Sequence, residues 1–352
     1  MSANAFNRLS QNPLFQQTSV YQTFLANPLG FIDVGARGGA HSLVEPIAAI
    51  TAVLGFEPDL PEYERMLNDA SLAASWAKFT LEPLALADCE GDAQLHLLSA
   101  ATNHSLRRPN GGFTSRYNMV KWQEVGTWDL KTTRLDDVLF GKRQTETYWG
   151  EMIKLDTQGT EFEILQGSLQ TLSERTVAIV TEVAFCELYQ GQKLFSEIEM
   201  LLREKQFSFY GFHTTHTRSL KQLDKTKQVG IERAMYADAV FFKDPLPGSF
   251  CGAALPTRSL HVLFTAALLL EYYDFALELA TKTFATNQPE EIAVIKQLIY
   301  DLAHYAPDQT VTEVIKLMEA INKNPAHANL YAGKFVDRKR LYFDYDDVLK
   351  VE

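Results

Sequence analysis

The chain has 352 residues, a formal net charge of −11, and a composition that is 46% hydrophobic and 22% charged. That is a folded globular protein too long for one ordinary core. Its negative balance argues against nucleic acid or an anionic membrane as the main partner. Cys89, Cys186 and Cys251 are far apart and odd in number, so they make no metal or redox motif and fit a reducing, cytoplasmic setting.

Residues 1–30 read as a leading arm with one helix over Ser19–Ala26 and no apolar signal region in its first twenty residues. Phe31–Val34 is a short strand ended by glycine. Pro46 delays the next regular helix to about Glu45. Thr51–Phe56 is a second strand, Leu60–Ala74 a helix, and Phe79–Ala87 a third strand. Ala93–Leu98 alternates like an edge strand, Thr102–Met119 is a long polar loop, Trp128–Thr133 a strand and Leu135–Phe140 a short helix. Met152–Leu155 is a strand ending in Asp156. Thr160–Leu172 is an amphipathic helix with Phe162, Leu165 and Leu169 on one face. Val177–Val183 is β-branched and so a buried strand, Lys193–Lys205 a helix, and Phe207–Phe212 and Ala237–Phe242 are the last two strands, expected to pair antiparallel.

Strand–helix alternation predicts an α/β fold with a mostly parallel sheet and helices on both faces. After Pro245-Leu246-Pro247-Gly248 the pattern becomes helical, over Leu260–Phe284, Glu290–His304 and Thr310–Ile321. His261–Leu270, the most apolar stretch, is about half the length a bilayer span needs and reads as a buried helix. The expected organisation is an arm (1–30), a catalytic α/β domain (31–245) and an α-helical C-terminal domain (246–352), whose apolar helices could serve a homodimer. Tyr272, Tyr273 and Phe275 are expected in the core, and Asp344, Asp346 and Asp347 in a solvated tail.

The segment Phe31-Ile32-Asp33-Val34-Gly35-Ala36-Arg37-Gly38-Gly39, answered by Gly55-Phe56-Glu57-Pro58-Asp59, carries the chemistry. Glycines after the first strand let backbone approach a ligand, and an acid at the end of the second can accept both hydroxyls of a ribose. The glycine spacing departs from the dinucleotide fingerprint and suits S-adenosylmethionine, which has no pyrophosphate.

Four further blocks follow in order: Ala85-Leu86-Ala87-Asp88; Thr132 to Leu139; Ile153-Lys154-Leu155-Asp156-Thr157-Gln158-Gly159-Thr160-Glu161; and Glu182-Val183 with Leu188-Tyr189-Gln190-Gly191-Gln192-Lys193-Leu194-Phe195. This series resembles the FkbM family of S-adenosylmethionine-dependent methyltransferases over roughly residues 30–245. The resemblance implies a Rossmann-like, seven-stranded class I methyltransferase sheet and methyl transfer to oxygen, commonly on a sugar, a glycan or a secondary-metabolite-like product. Gln158 stands where many members carry glutamate, which argues against a metal there, and no other metal site is expected.

Within that frame Gly35, Ala36 and Gly39 border the methionine end of the cofactor, and Arg37 either pairs with its carboxylate or stays solvated. Asp33 holds the cofactor's amino group or braces its own loop. Glu57, followed by Pro58, binds the ribose, and Asp88 reaches adenine or caps a turn into Glu90-Gly91. Asp156 is expected both to contact the cofactor and to be the leading general base, with capping of the following helix as its other role. Glu182, at the next strand end, shares both possibilities, and the loop histidines His104, His213 and His216 are further bases or substrate contacts. Two other readings stay open: a nicotinamide-dependent oxidoreductase, which the absent fingerprint disfavours, and a non-catalytic nucleoside-binding scaffold.

Overall fold

The computed structural model describes residues 6–338 except 147, 224–227, 229, 252–253 and 305–306. The acidic run at Asp344, Asp346 and Asp347 therefore lies outside the described residues. Strands in chain order are β1 (Leu29–Val34), β2 (Thr51–Phe56), β3 (Lys78–Glu82), β4 (Ala85–Leu86), β5 (Gly91–Leu98), β6 (Glu124–Thr133), β7 (Met152–Leu155), β8 (Ala178–Ala184), β9 (Ser208–Arg218) and β10 (Arg233–Phe242).

Seven of them form one sheet in the order β3-β2-β1-β7-β8-β10-β9. The first five strands of that order run parallel to their neighbours, and β10 is antiparallel to β8. This is the seven-stranded, mostly parallel sheet that the sequence resemblance implies. The strand order reverses between β1 and β7, where open α/β sheets leave a crevice at their carboxyl edge.

β1, β2, β7 and β8 are buried on both faces, which is why they are mainly apolar, interrupted by the charged residues Asp33, Lys154 and Glu182. Alternation sends Phe31, Val53, Met152 and Val180 to one face, and Ile32, Leu54, Ile153 and Ile179 to the other. The first face is covered by Phe15, Val20 and Phe24 from the N-terminal helices Pro13–Gln16 and Ser19–Ala26. Leu263, Leu279 and Leu298 from the helices Thr257–Leu269, Tyr273–Lys282 and Pro289–Ala303 complete that cover. The second face is covered by Ile164, Leu172, Ile198 and Leu202. Each fully buried side chain of this size contributes roughly 1.5–3 kcal/mol of transfer free energy.

Arg258 ties the first of those later helices to the sheet. Its guanidinium pairs with buried Glu151 and donates to the carbonyls of Asn27 and Pro28, while Glu151 also accepts from Gly30 N. Tyr272 and Phe275 pack on Phe242. Residues up to 217 and from 234 to 303 form one compact unit. The described residues of 218–233 and 304–338 form a second, in which the helices Pro307–Lys323 and Ala328–Arg338 contact each other.

Several elements differ from the sequence expectation. The stretch 79–87 is two strands: β3 stops at Glu82 before Pro83, and β4 joins a second sheet, β4-β6-β5. Proline cannot donate to a ladder, so the chain leaves the main sheet there. The segment after β1 is a 3₁₀ helix over Ser42–Ile50, kinked at Ile47 beside Pro46. The helix expected over Thr160–Leu172 is two, Glu161–Gln166 and Leu169–Glu174. They part at Gly167, where a Cβ would lie 2.0 Å from the Ala87 carbonyl oxygen. His213 and His216 sit in β9 rather than in a loop, because that strand continues six residues past Phe212.

Candidate active site

Strand register builds the site. Val34 pairs with both Phe56 and Leu155, so Gly35, Glu57 and Asp156 emerge side by side at the carboxyl edge of β1, β2 and β7. Leu155 pairs with Thr181, which brings Asp156 beside Glu182 of β8, and Glu182 pairs across to Asp238 of β10. Gly35 turns with φ 87°. A Cβ there would lie 2.2 Å from the Asp156 carbonyl oxygen, so only glycine lets the two loops meet.

A cavity of about 240 Å³ opens at this edge. Gly35, Arg37, Glu57, Pro58, His104 and Asp156 border its polar side, and Leu84, Leu86, Leu95, Leu106 and Ile164 its apolar side. The second sheet thus supplies part of the wall. Asp33, Ala36, Gly39, Asp88, Glu182 and His213 do not border the cavity.

Glu57 is buried, and burial raises its carboxyl to about 7. Only its Oε1 accepts a protein hydrogen bond among the described residues, from Asp59 N at 2.9 Å. Asp59 caps the Leu60–Leu67 helix and gathers neighbours: Arg37 bonds its Oδ2 at 2.6 Å, and His104 Nδ1 lies 3.3 Å from the same oxygen. Burial, then Arg37, lowers the His104 imidazole below its ordinary value. His104 Nε2 lies 3.3 Å from the Leu98 carbonyl.

The amides of the glycine turn face protein acceptors. Gly35 N and Ala36 N donate to the Phe56 carbonyl, Gly38 N to Glu62 and Gly39 N to the Ala36 carbonyl. Asp33 is buried and accepts from His41 N at 2.8 Å; burial raises it to about 6 against the pull of Lys154. Asp88 is exposed and follows β4 of the small sheet, so the premise that placed it at the end of the third main-sheet strand fails.

Beyond the cavity wall lies an ionisable cluster around Lys154, buried in β7. Its Nζ bonds Asp156 Oδ2 at 3.0 Å, and Gln158 Nε2 bonds Asp156 Oδ1 at 2.8 Å. Burial opposes the Asp156 charge, but Lys154 and Gln158 prevail and hold it below the usual aspartate value. Lys154 is pushed up in turn by Asp156 and Asp33, overcoming its own burial. Glu182 behaves oppositely: burial, reinforced by Asp156, Glu161 and Asp238, raises it well above the usual range. Glu161 is buried and accepts from Thr157 N and Gly159 N, so it braces the turn after β7. His213 is exposed on β9, and His216 stacks on Tyr236 at 4.3 Å. Among the described residues, no group of three His, Cys, Asp or Glu side chains is arranged to hold a metal ion.

Lys154, Asp59 and Asp238 carried no role in the sequence reading. Lysine within the otherwise apolar Met-Ile-Lys-Leu strand was the available signal for the first, because a buried strand tolerates ammonium only beside acids. Nothing local marks Asp238, which reaches the cluster through antiparallel pairing 56 residues downstream of Glu182.

The cavity fits S-adenosylmethionine. A buried carboxyl with an uncommitted oxygen suits a ribose diol, and the aliphatic wall suits a flat purine. The chain matches the Methyltransferase FkbM domain over residues 33–209, half its length. No curated protein matches it. Among solved structures it is similar to magnesium protoporphyrin IX methyltransferase from Synechocystis PCC 6803 with bound SAM, at 9% identity over 63% of this chain and 76% of that one, with a TM-score of 0.29. It is also similar to Sp1610 from Streptococcus pneumoniae, a candidate tRNA methyltransferase, at 12% identity over 80% of this chain and 97% of that one, with a TM-score of 0.30. Domain match and sheet order agree, and the chain belongs to the FkbM family of S-adenosylmethionine-dependent methyltransferases.

Proposed function

We propose that the chain methylates a hydroxyl oxygen on a polar acceptor of the sugar, glycan or secondary-metabolite class, at the Asp156 side of the cavity. The supporting observation is one carboxylate. Asp156 borders the cavity, is partly exposed, and is kept ionised by Lys154 among acids that are pushed toward their neutral forms.

S-adenosylmethionine supplies a methyl group on a sulfonium, whose carbon–sulfur bond breaks with its electron pair going to sulfur. The acceptor oxygen forms the new bond to carbon and must lose its proton as it does so. Asp156 takes that proton on a carboxylate oxygen. Glu182, pushed toward its neutral form by burial and by the acids around it, sits at the same sheet edge behind Asp156. Glu57 orients the ribose, and the aliphatic wall excludes water, so that oxygen, methyl and sulfur can stay in line.

Incubation with methyl-labelled cofactor and a panel of polyhydroxylated acceptors tests this. Label should appear as an alkali-stable methyl ether; label found only on nitrogen or carbon would contradict it. Cytoplasmic residence belongs to the same reading, supported by the odd number and wide sequence spacing of Cys89, Cys186 and Cys251. A homodimer through the C-terminal helices is supported by exposed Val311, Val314, Ile315 and Met318 along Pro307–Lys323. Sedimentation of Ile315→Lys against the parent chain tests it, and an unchanged sedimentation coefficient would contradict it.

A further inference from the structure

Gln158 has φ 59°, in the left-handed region, within the turn that joins β7 to the Glu161–Gln166 helix. A residue with a side chain adopts that conformation at a cost, so its surroundings must hold it. They do so from three directions. Nε2 donates to Asp156 Oδ1 at 2.8 Å, Oε1 accepts from the Tyr189 hydroxyl at 2.9 Å, and the backbone carbonyl accepts from Ser105 Oγ at 2.6 Å. Tyr189 is fully buried against Trp122, with ring centroids 4.8 Å apart.

The direction of the amide follows from its neighbours. Asp156 is ionised beside Lys154, and an ionised carboxylate only accepts; a flipped amide would set oxygen against oxygen. Neutrality matters as much as direction. Asp156 already faces Asp33 from β1, Glu161 from the following helix, Glu182 from β8 and Asp238 from β10. Lys154 and, when protonated, His41 offset them at Asp156, and His213 and His216 do so at Asp238.

We propose that Gln158 is a positioning residue for Asp156: its amide, oriented by Tyr189, gives one carboxylate oxygen a neutral donor and keeps that acid aimed along the cavity wall and charged. This rests on the reading of Asp156 as proton acceptor. A carboxylate at position 158 would have the same shape but would add one more like charge against Asp156.

The test watches the protein alone and needs no acceptor. Carboxyl-carbon NMR of aspartate-labelled chain, with Asp156→Asn to identify the resonance, follows the Asp156 titration. In Gln158→Glu two carboxyls would share a proton, and the Asp156 midpoint should rise by about one pH unit or more. Gln158→Met keeps the length and removes the hydrogen bond; it should raise the midpoint by less, and it decides the matter if the glutamate variant does not fold. A midpoint unchanged in a folded variant would show that Gln158 only braces its turn, and would overturn the proposal. Loss of the proton-acceptor role itself would show separately, as an active Asp156→Asn enzyme whose parent still responds to position 158.

Discussion

Lys154 Nζ, near the end of β7, lies 3.0 Å from Oδ2 of Asp156, the first residue after that strand, and this contact divides the acids of the site into two kinds. Asp156, which holds the lysine, keeps its charge; Asp33, Glu182 and Asp238, packed around the same group, are pushed toward protonation. Groups whose environments drive them apart in this way are suited to separate acid and base roles.

Asp156→Asn tests the base role. Asparagine keeps the size and can still receive the Gln158 amide, but cannot take a proton. Turnover should fall by about 10²–10⁴-fold with cofactor affinity unchanged. Turnover near that of the parent would move the base to another group, with His104, which borders the cavity, first in line.

Glu57 predicts a pH dependence of cofactor binding. Burial raises its free-state value to about 7, and ribose hydroxyls donate to the ionised form. Binding should therefore lower that value, release a proton near pH 7, and tighten as pH rises through 7. Glu57→Ala should weaken binding by about 1–3 kcal/mol and remove the slope. Calorimetry across pH 6–8 measures both, and a flat profile in the parent chain would contradict the ribose assignment.

Arg258 predicts a stability effect far from the chemistry. Its removal strands buried Glu151 and the carbonyls of Asn27 and Pro28. Arg258→Ala should cost about 3 kcal/mol or more in denaturant unfolding. A loss below about 1 kcal/mol, the level of an exposed pair, would show that this contact does not anchor the Thr257–Leu269 helix.

His261 predicts acid sensitivity. It is buried between Ser19 and Thr23, and burial lowers its imidazole from 6.5 to about 4. The unfolded chain takes up the proton first as pH falls, so its contribution is intact above about pH 6.5 and is lost progressively down to about pH 4. The total is about 3 kcal/mol. His261→Gln should flatten that part of the stability curve relative to the parent; parallel curves would contradict the assignment.

The main sheet was legible because its central strands are buried on both faces, so that Thr51–Phe56 is almost wholly apolar and Met152–Leu155 is apolar apart from Lys154. Glu57 and Asp156 were legible because each is the first polar residue after such a run. Asp88 was misplaced because 79–87 looks like one strand, and only pairing with β6 shows that Ala85-Leu86 belongs to another sheet. The partners of Asp156 were less legible for a similar reason. Asp238 arrives by antiparallel register, and Tyr189 by a loop that folds back onto Gln158; neither contact has a local sequence pattern. The helical character of Thr257 to Ala303 was legible, but the stretch read as one helix over Leu260–Phe284 is two, Thr257–Leu269 and Tyr273–Lys282, and the first is tied to the sheet by Arg258 reaching Glu151, 107 residues earlier.

Direct binding to the purified chain tests the central claim most plainly. Calorimetric titrations with S-adenosylmethionine, S-adenosylhomocysteine and NAD should show saturable one-site binding of the first two, weakened by Glu57→Ala, and no binding of NAD. Tight NAD binding at the same cavity, with no heat from S-adenosylmethionine, would contradict the account.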